Sequence, residues 1–417
     1  MQRLKKLLCL TFIFSLSFFA QAQDTTYTTL NNVHQGFGSG LGTRTVIDTF
    51  ILPHDLSVFS QINMHVLLSC PTGGCDPWDR FASVRVFHNN EWYEIGRYIT
   101  PYRKSCGWVI DVSDYRSMLK DTVILNSFID TWVNPGWLVK IDFEYIAGAP
   151  VYPEIKIENL WFNYNVVYGD TTQPVSLPVM TKTIDGAATS VKLKIVNTGH
   201  GQGNLDNAAE FSQKTHLVYV NGVQTFSQYL WRSNCLSNPC SPQSGSWHYN
   251  RAGWCPGADV IPSAYDLTSL VTPGQPVDLE YRLQPYFNNC SPHNPGCVTG
   301  TTCTDCNYNN TGHTEPHYKI ASQLISYLGT PTAIGELKKV PEFSIAPNPS
   351  NGIVELRVSG GNVKYQLEVF DLPGKLILSM QVINGSQKLD LSMLAKGIYL
   401  LKVLGEGISE VKKLVID

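Results

Sequence analysis

The stretch Cys70-Pro-Thr-Gly-Gly-Cys75-Asp-Pro-Trp-Asp-Arg80 leads directly into the alternating run Phe81-Ala-Ser-Val-Arg-Val-Phe87. Two cysteines five positions apart can close a small disulfide loop, and the alternation that follows predicts a β-strand with side chains on opposite faces. The loop would therefore hold Trp78, Asp79 and Arg80 at the mouth of that strand. An aromatic ring beside a carboxylate suits a sugar or an amide. The plainer alternative is an Asp–Arg surface pair beside a core tryptophan.

Alternation of this kind dominates residues 24–328, in runs such as Leu138–Tyr145 that are rich in β-branched and aromatic residues. Turn signals such as Asn221-Gly222 separate the runs. A segment of about 300 residues exceeds one ordinary sandwich. We therefore expect an all-β protein with two domains, at residues 23–168 and 169–328.

The first 22 residues have the three parts of a secretory signal peptide. The basic region holds Arg3, Lys5 and Lys6, the apolar run Leu7–Phe19 is too short to span a membrane, and Ala20-Gln21-Ala22 is a small-x-small cleavage site. Cleavage leaves 28 basic residues against 34 acidic ones. This mildly acidic balance argues against nucleic acid as a partner, and we expect an exported monomer.

Ten of the eleven cysteines remain after cleavage, and an even number in an exported protein favours disulfides. Cys70 with Cys75 is the most local pair, and Cys235 with Cys255 is a second. A loop rich in Asn, Gly and Thr holds four more, where a zinc site that includes His293 is an alternative to disulfides; these are Cys290, Cys297, Cys303 and Cys306. Cys106 and Cys240 are left over and could pair with each other.

A separate small β-sandwich is expected at residues 343–417, after a linker at residues 329–342. It contains the motifs Ala346-Pro-Asn-Pro-Ser-Asn-Gly352, Gly397-Ile-Tyr-Leu-Leu-Lys-Val403 and Lys412-Lys-Leu-Val-Ile416. In these motifs the segment resembles the C-terminal sorting domain of the Bacteroidetes type IX secretion system. The resemblance implies the type IX secretion machinery as a partner. It also implies export across the outer membrane to a secreted or surface-attached location, usually with removal of this domain.

Blocks between about residues 65 and 258 resemble the peptide-N-glycosidase F family, in the same order and at similar spacing. The most specific are Glu91-Trp-Tyr-Glu-Ile-Gly-Arg97 and Asn250-Arg-Ala-Gly-Trp-Cys-Pro-Gly257, and Cys75–Arg80 matches as well. The resemblance implies two adjacent jelly-roll β-sandwiches and hydrolysis of the amide that joins asparagine to the first sugar of an N-glycan. N-glycosylated peptides or glycoproteins would be the substrates, and no metal or cofactor is required.

The same resemblance implies a catalytic role for Asp79, with Asp130 and Glu210 as supporting carboxylates. The expected substrate-binding residues are Arg80, Arg251, Trp78, Trp132 and His200. Elementary chemistry agrees with this set. An amide is a poor electrophile, so a carboxylate must activate the attacking water. Two crowded carboxylates raise the pKa of one of them, which lets that one act as an acid.

Three positions depart from the family pattern. Asp130 stands where the family has glutamate, which shortens the reach of the carboxylate by about 1.5 Å, the length of one carbon–carbon bond. Phe211 replaces a tryptophan, and Thr198 replaces an aromatic platform. The cysteines that flank Glu210 in the family are absent. The sugar subsites have therefore changed more than the Asp79 centre, which predicts an altered glycan preference.

Two other functions are compatible with the sequence. The first is a non-catalytic glycan-binding or surface protein that keeps the fold. The second is a copper-dependent monooxygenase-like protein, because paired jelly rolls also hold copper through histidine and methionine. The candidate copper ligands are His200, His216, His313 and His317. Methionines are scarce, however, and His200 and His216 already match non-metal positions of the glycosidase family.

Overall fold

The computed structural model describes residues 23–38, 43–170, 172, 177–202, 206–288, 290, 291, 293, 315–331, 343–358, 364–372, 375–383, 385–405 and 408–417. The chain divides into two compact units, residues 1–332 and 333–417. The expected signal peptide and most of the expected linker lie outside the described residues. Within the described ranges, helices that are long and apolar enough to cross a membrane are absent.

The first unit consists of strands and two short 3-10 helices, η1 (Ser113–Met118) and η2 (Cys235–Ser237). Its strands are β1 (Thr25–Gln35), β2 (Thr45–Leu52), β3 (Phe59–Ser69), β4 (Phe81–His88), β5 (Glu91–Ile99), β6 (Cys106–Asp111), β7 (Asp121–Ile129), β8 (Trp137–Ala147), β9 (Glu154–Asn159), β10 (Tyr164–Val167), β11 (Met180–Thr183), β12 (Ala188–His200), β13 (Lys214–Val220), β14 (Val223–Leu230), β15 (Ala258–Asp259), β16 (Ser263–Asp266), β17 (Pro276–Arg282) and β18 (His317–Leu328). The second unit has β19 (Phe343–Ala346), β20 (Ile353–Val358), β21 (Lys364–Asp371), β22 (Leu376–Ile383), β23 (Gly385–Asp390), β24 (Gly397–Gly405) and β25 (Ile408–Ile416).

The first jelly roll packs the sheet β1-β8-β3-β6 against the sheet β5-β4-β7-β2. Alternate residues of each strand point into the shared core, as the period of two requires. On β4, for example, Ala82, Val84 and Val86 are buried in that core. Phe81 and Arg85 therefore point to the opposite face of the sheet, away from the core.

The second jelly roll has one sheet ordered β10-β18-β12-β16 and another ordered β11-β17-β13-β14. Both β9 and β10 pair with β18, so residues 154–167 belong to the sheet of the second sandwich. The structure thus differs from the expected boundary at residue 168. The expectation of an all-β protein with two adjacent jelly rolls is confirmed.

Several bonds join the two jelly rolls. The two-residue strand β15 pairs with β5, opposite Ile99 and Tyr98. A disulfide joins Cys106 to Cys240. Arg97 of β5 donates hydrogen bonds to the Lys319 carbonyl on β18, at 2.6 Å, and to the Thr198 hydroxyl on β12, at 3.1 Å. These contacts fix the two sandwiches side by side along the edge where the candidate site lies.

The C-terminal unit is a small sandwich with its own core. One sheet is ordered β19-β20-β23 and the other β22-β21-β24-β25. Leu356, Leu367, Leu401 and Leu414 are completely buried between the sheets. The unit therefore has a hydrophobic core that is separate from those of the jelly rolls.

Candidate active site

Asp79 lies between the Cys70–Cys75 disulfide loop and the start of β4. The structure contains this disulfide, and Gly73 and Gly74 within its loop both have φ of +102°, which side-chain-bearing residues rarely adopt. Immediately after the loop, the Asp76 carboxylate is completely buried and accepts the backbone N–H of Trp78 at 2.9 Å. The tight loop and this local turn place the Asp79 side chain at the mouth of the strand.

Asp76 also anchors two other parts of the site. It accepts hydrogen bonds from Arg80, at 2.8 Å from Nε and 3.3 Å from Nη2. It accepts a third from the Thr131 hydroxyl at 2.6 Å. Because Thr131 lies between Asp130 and Trp132, this single buried carboxylate connects the Asp79–Arg80 segment with the loop that follows β7.

The guanidinium of Arg251 is the centre of the candidate site. Its Nε lies 3.0 Å from a carboxylate oxygen of Glu210, and its Nη2 lies 3.7 Å from a carboxylate oxygen of Asp79. Nη1 donates to the Tyr249 carbonyl at 2.6 Å, and Nη2 donates to the Ser246 hydroxyl at 3.0 Å. Arg251 is completely buried, so both carboxylates interact with a cation that water scarcely reaches.

Backbone pairing explains how Glu210 and Arg251 meet. Ala252 N–H donates to the Glu210 carbonyl, and Glu210 N–H donates to the Gly201 carbonyl. A Cβ on Gly199 would lie 2.7 Å from the Ala209 carbonyl oxygen and 2.8 Å from the Ala252 Cβ. Only glycine at position 199 therefore lets these segments approach so closely.

The two carboxyl groups have raised pKa values. The pKa of Glu210 is raised to about 7, chiefly by burial and then by the negative charge of Asp79, against the opposing effect of Arg251. Burial also raises the pKa of Asp79, although Arg251, a hydrogen bond from Tyr102 and the charge of Arg80 all favour its ionised form. Asp79 thus has more groups that stabilise its negative charge than Glu210 has.

Tyr102 extends a hydrogen-bonded chain across the site. Its hydroxyl lies 3.1 Å from the Ser246 hydroxyl, and Ser246 in turn accepts from Arg251. The chain Arg251–Ser246–Tyr102 therefore bridges the two jelly rolls, and Tyr102 favours the ionised form of Asp79, which lowers the pKa of that carboxyl against the effect of burial.

Asp130 and Trp132 lie together beside a residue that the sequence did not point to. Arg44 forms an ion pair with Asp130 at 3.2 Å, and its guanidinium stacks 3.9 Å above the Trp132 ring. The Phe37 ring packs against Trp132 in a tilted arrangement, with the two ring centres 5.3 Å apart. Within the described part of the chain, direct bonds between Asp130 and Asp79 are absent. The two segments communicate through Asp76 and Thr131.

The exposed aromatic rings are available to a ligand. Trp78 is 57% exposed and Trp132 is 53% exposed. Arg251 packs between the Trp254 and Phe211 rings, 4.8 Å and 4.9 Å from their centres. Phe211 therefore contacts the central cation on the side where the family pattern has tryptophan.

His200 contacts the far side of Trp254. Its ring stacks on Trp254 at 5.2 Å and on His317 at 5.5 Å. Its Nε2 lies 2.9 Å from the hydroxyl of Thr198, which is completely buried and also accepts from Arg97. Burial, reinforced by the charges around it, lowers the pKa of His200 well below its ordinary value.

The other candidate metal ligands are separated. His216 is buried between Tyr281 and Tyr318 in the core of the second jelly roll, and burial lowers its pKa to about 3. His200 and His317 stack on each other, whereas His216 packs against Tyr281 and Tyr318; His313, the fourth ligand of the copper alternative, lies outside the described residues.

The cysteine-rich loop, for which zinc binding was the alternative to disulfides, is described only in part. Cys290 is disulfide-bonded, which removes it as a zinc ligand; Cys297, Cys303 and Cys306 lie outside the described residues. His293 instead lies 2.5 Å from the buried carboxylate of Asp170. Glu315 is close enough for the three ligand atoms to lie within 4.8 Å of one another. Cys235 and Cys255 form a disulfide.

Sequence reasoning missed Asp76, Tyr102 and Arg44. Asp76 lies within the Cys75–Arg80 motif, and Tyr102 follows Arg97 by five residues, so proximity to residues of the motifs was the available signal. Arg44 precedes β2 and belongs to none of the quoted motifs. Its contact with Trp132 exists only because β2 pairs with β7.

The sequence is similar to that of a known family of amidases. Residues 163–296 match the family described as peptide-N-glycosidase F, C terminal. The peptide-N(4)-(N-acetyl-beta-D-glucosaminyl)asparagine amidase F of Elizabethkingia miricola is 31% identical over 277 residues, which cover 63% of this chain and 78% of that protein.

Solved structures agree with the sequence comparison. A crystal structure of a peptide-N(4)-(N-acetyl-beta-D-glucosaminyl)asparagine amidase has a TM-score of 0.64 and 29% identity, covering 75% of this chain and 98% of its own. PNGase F, a glycosylasparaginase from Flavobacterium meningosepticum, has a TM-score of 0.63 and 28% identity, covering 75% and 99%.

The C-terminal unit has its own match. Residues 344–417 match the secretion system C-terminal sorting domain. The chain therefore carries a type IX sorting domain, which directs it to the secretion machinery and to a secreted or surface location.

Proposed function

Because the chain belongs to the peptide-N-glycosidase F family, we propose that it hydrolyses the amide between asparagine and the first sugar of an N-glycan. Asparagine becomes aspartate and the glycan leaves on the amide nitrogen. The observation that carries the proposal is the placement of two carboxylates, Asp79 and Glu210, on the one buried guanidinium of Arg251. This arrangement supports acid–base chemistry, because it gives two carboxyl groups different environments on one cation.

In this proposal, Asp79 is the general base. Arg251, Tyr102 and Arg80 all favour its ionised form, so it can accept a proton from a water molecule. The water oxygen then bonds to the amide carbonyl carbon. A base that is held in position makes this attack effective on a poor electrophile.

Glu210 is the general acid. Its pKa of about 7 keeps a large fraction of the carboxyl group protonated near neutral pH. It can therefore donate its proton to the amide nitrogen as the carbon–nitrogen bond breaks. The proton that Asp79 gained balances the one that Glu210 lost, and the cationic guanidinium remains between them throughout.

Substrate binding is assigned to the exposed groups around the pair. Arg80 is held by Asp76 through Nε and Nη2, which leaves Nη1 to bond to a sugar or carbonyl oxygen. Trp78 and Trp132 offer flat apolar faces that suit a sugar ring. Asp130 lies beside Trp132. Its ion pair with Arg44 holds that guanidinium against the Trp132 ring and so fixes the ring in position.

The experiment that tests this proposal is single-turnover release of glycan by Asp79→Asn. The substrate is a denatured glycopeptide with a neutral N-glycan, and mass spectrometry detects the peptide with aspartate in place of asparagine. Asparagine keeps the shape but cannot accept the proton, so the rate should fall by about 10²–10⁴, the range for loss of acid–base catalysis.

Asp48→Asn is the matched control. Asp48 lies on the edge strand β2, is exposed, and among the described residues its side chain accepts only the N–H of Thr49. The same chemical change there should leave the rate unaltered. Wild-type turnover by Asp79→Asn would overturn the mechanism. Absence of glycan release by the wild type, together with binding of the glycopeptide, would favour the non-catalytic glycan-binding alternative.

A further inference from the structure

A cavity of about 410 Å³ lies between the two jelly rolls, and Asp130 of the proposed site is part of its lining. The first jelly roll lines it with Phe81 and Arg85 of β4 and Asn126 of β7. The second lines it with Asn163, Tyr164 and Lys319. This volume is within the range of pockets that hold small ligands.

The cavity has an excess of positive charge. Among the charged residues that line it, Arg97 is paired with Glu94 at 2.7 Å and Asp130 is paired with Arg44. Arg85 and Lys319 form no ion pair within the described part of the protein. Burial lowers the pKa of Lys319, the negative charge of Asp130 opposes this effect, and the positive charges of Arg97 and Arg85 lower the pKa further. An anion between Arg85 and Lys319 would relieve that repulsion.

Two buried polar atoms of the lining have no hydrogen-bond partner. They are the Nε of Arg85 and the Oδ1 of Asn126, which lies opposite Arg85 on the neighbouring strand. Asn126 is 9% exposed. Buried polar atoms are normally satisfied, so an unpaired donor and acceptor side by side indicate that a polar ligand completes them.

We propose that this cavity is a subsite for a sugar that carries a carboxylate, such as a sialic or uronic acid. Arg85 and Lys319 would bind the carboxylate, and the amides of Asn126 and Asn163 would bind hydroxyls. Tyr164 is 37% exposed and would pack against the ring, as aromatic rings do with the apolar face of a sugar. This inference rests on the proposed function only for the claim that the acidic sugar belongs to the glycan being released.

The position of the cavity supports an outer sugar as the occupant. Phe81 follows Asp79 by two residues and begins β4, whereas Arg85 lies four residues further on. At the rise of an extended strand, these four residues span about 13 Å. Asp130 lines the cavity, whereas Asp79 and Glu210 do not, so a sugar distant from the asparagine would occupy it.

The first experiment measures binding of free sugars to the full-length protein by NMR titration. N-acetylneuraminate and glucuronate are the acidic probes, N-acetylglucosamine is the neutral probe, and N-acetylaspartate represents a peptide carboxylate. The acidic sugars should bind at least about tenfold more tightly than the neutral sugar, since hydrogen bonds to charged groups are the stronger ones. Equal binding of N-acetylaspartate would refute the sugar assignment, and failure of both acidic sugars to bind would refute the subsite.

Two variants localise the site without removing either cation. Asn163 accepts a hydrogen bond from Arg85, and Asn165 lies opposite Lys319 on the paired strand. Asn163→Asp and Asn165→Asp place a carboxylate beside each cation, so each should weaken binding of the acidic sugars by about tenfold. Both positions are exposed, and the fold should tolerate the change.

Asn90→Asp is the matched control. Asn90 is exposed and has φ of 63°, close to the 57° of Asn163, but it lies in the hairpin between β4 and β5. Its binding of acidic sugars should equal that of the wild type. Unchanged binding in Asn163→Asp would refute the location. Hydrolysis of a neutral glycopeptide, measured in parallel, reports on the proposed function separately.

Discussion

Replacing Glu210 with glutamine should change the dependence of stability on pH. The pKa of Glu210 is raised from 4.5 to about 7, mainly by burial and then by the charge of Asp79. A carboxyl group with a raised folded pKa contributes stability below its unfolded pKa, and this contribution is lost as the pH rises through the folded pKa. Glutamine resembles the protonated group at every pH, so it avoids this loss.

The magnitude follows from the two pKa values. A rise from 4.5 to about 7 corresponds to about 3 kcal/mol in the free energy of unfolding. Relative to Glu210→Gln, the wild type should therefore lose about this much stability between pH 4.5 and pH 8. The side chain is 19% exposed, so solvent screening makes this figure an upper value.

Urea denaturation of both proteins at half-unit steps from pH 4.5 to pH 8 measures the difference. Glu280→Gln is a control of opposite sign, because hydrogen bonding by Arg282 lowers the pKa of Glu280. Its removal should cost stability at pH 8 rather than restore it. Asp79→Asn should lower the pKa of Glu210 and move its transition to lower pH. Parallel stability curves for the wild type and Glu210→Gln would refute the reasoning.

Three further outcomes can be measured. Asp130→Glu restores the longer side chain of the family, so the rate of glycan release should hold or rise in a steady-state assay. A protein that ends near Leu328 should keep full specific activity, because every candidate site residue lies in the first compact unit; a collapse of activity in a soluble, folded truncation would contradict this. Replacing both Cys106 and Cys240 by serine should cost about 4–5 kcal/mol in chemical denaturation, since the disulfide closes a loop with a sequence separation of 134 residues.

Local sequence patterns predicted an all-β fold and several of its strands but not which strands pair. Alternation identifies β9 and β10 as strands, yet nothing in residues 154–167 says that both will pair with β18. Pairing depends on which hydrophobic faces meet in three dimensions, and a period of two is the same in either sandwich. The difference between the expected and observed domain boundary has this origin.

In the candidate site, too, local features were predictable from the sequence and long-range contacts were not. Asp79, Glu210 and Arg251 were selected together only because of the resemblance to a family, since residues 41 or more positions apart share no local pattern. The Arg44–Trp132 stack was missed because it depends on the register of β2 against β7. The disulfide between Cys70 and Cys75 was accessible from spacing alone, whereas Cys106 with Cys240 was suggested only because no other partner remained.

The origin of the site residues explains why so many bonds cross between the jelly rolls. Asp79 and Tyr102 come from the first sandwich, whereas Glu210, Ser246 and Arg251 come from the second. A displacement of about 1 Å can cost on the order of 100-fold in rate, so the base and the acid work together only if the sandwiches keep one relative position. The Cys106–Cys240 disulfide, the pairing of β15 with β5, and the bonds from Arg97 to Thr198 and Lys319 supply that restraint. Thr198, which replaces an aromatic residue of the family, thus accepts a bond at the junction. We therefore propose that Thr198 helps to join the jelly rolls as well as shaping the sugar subsite.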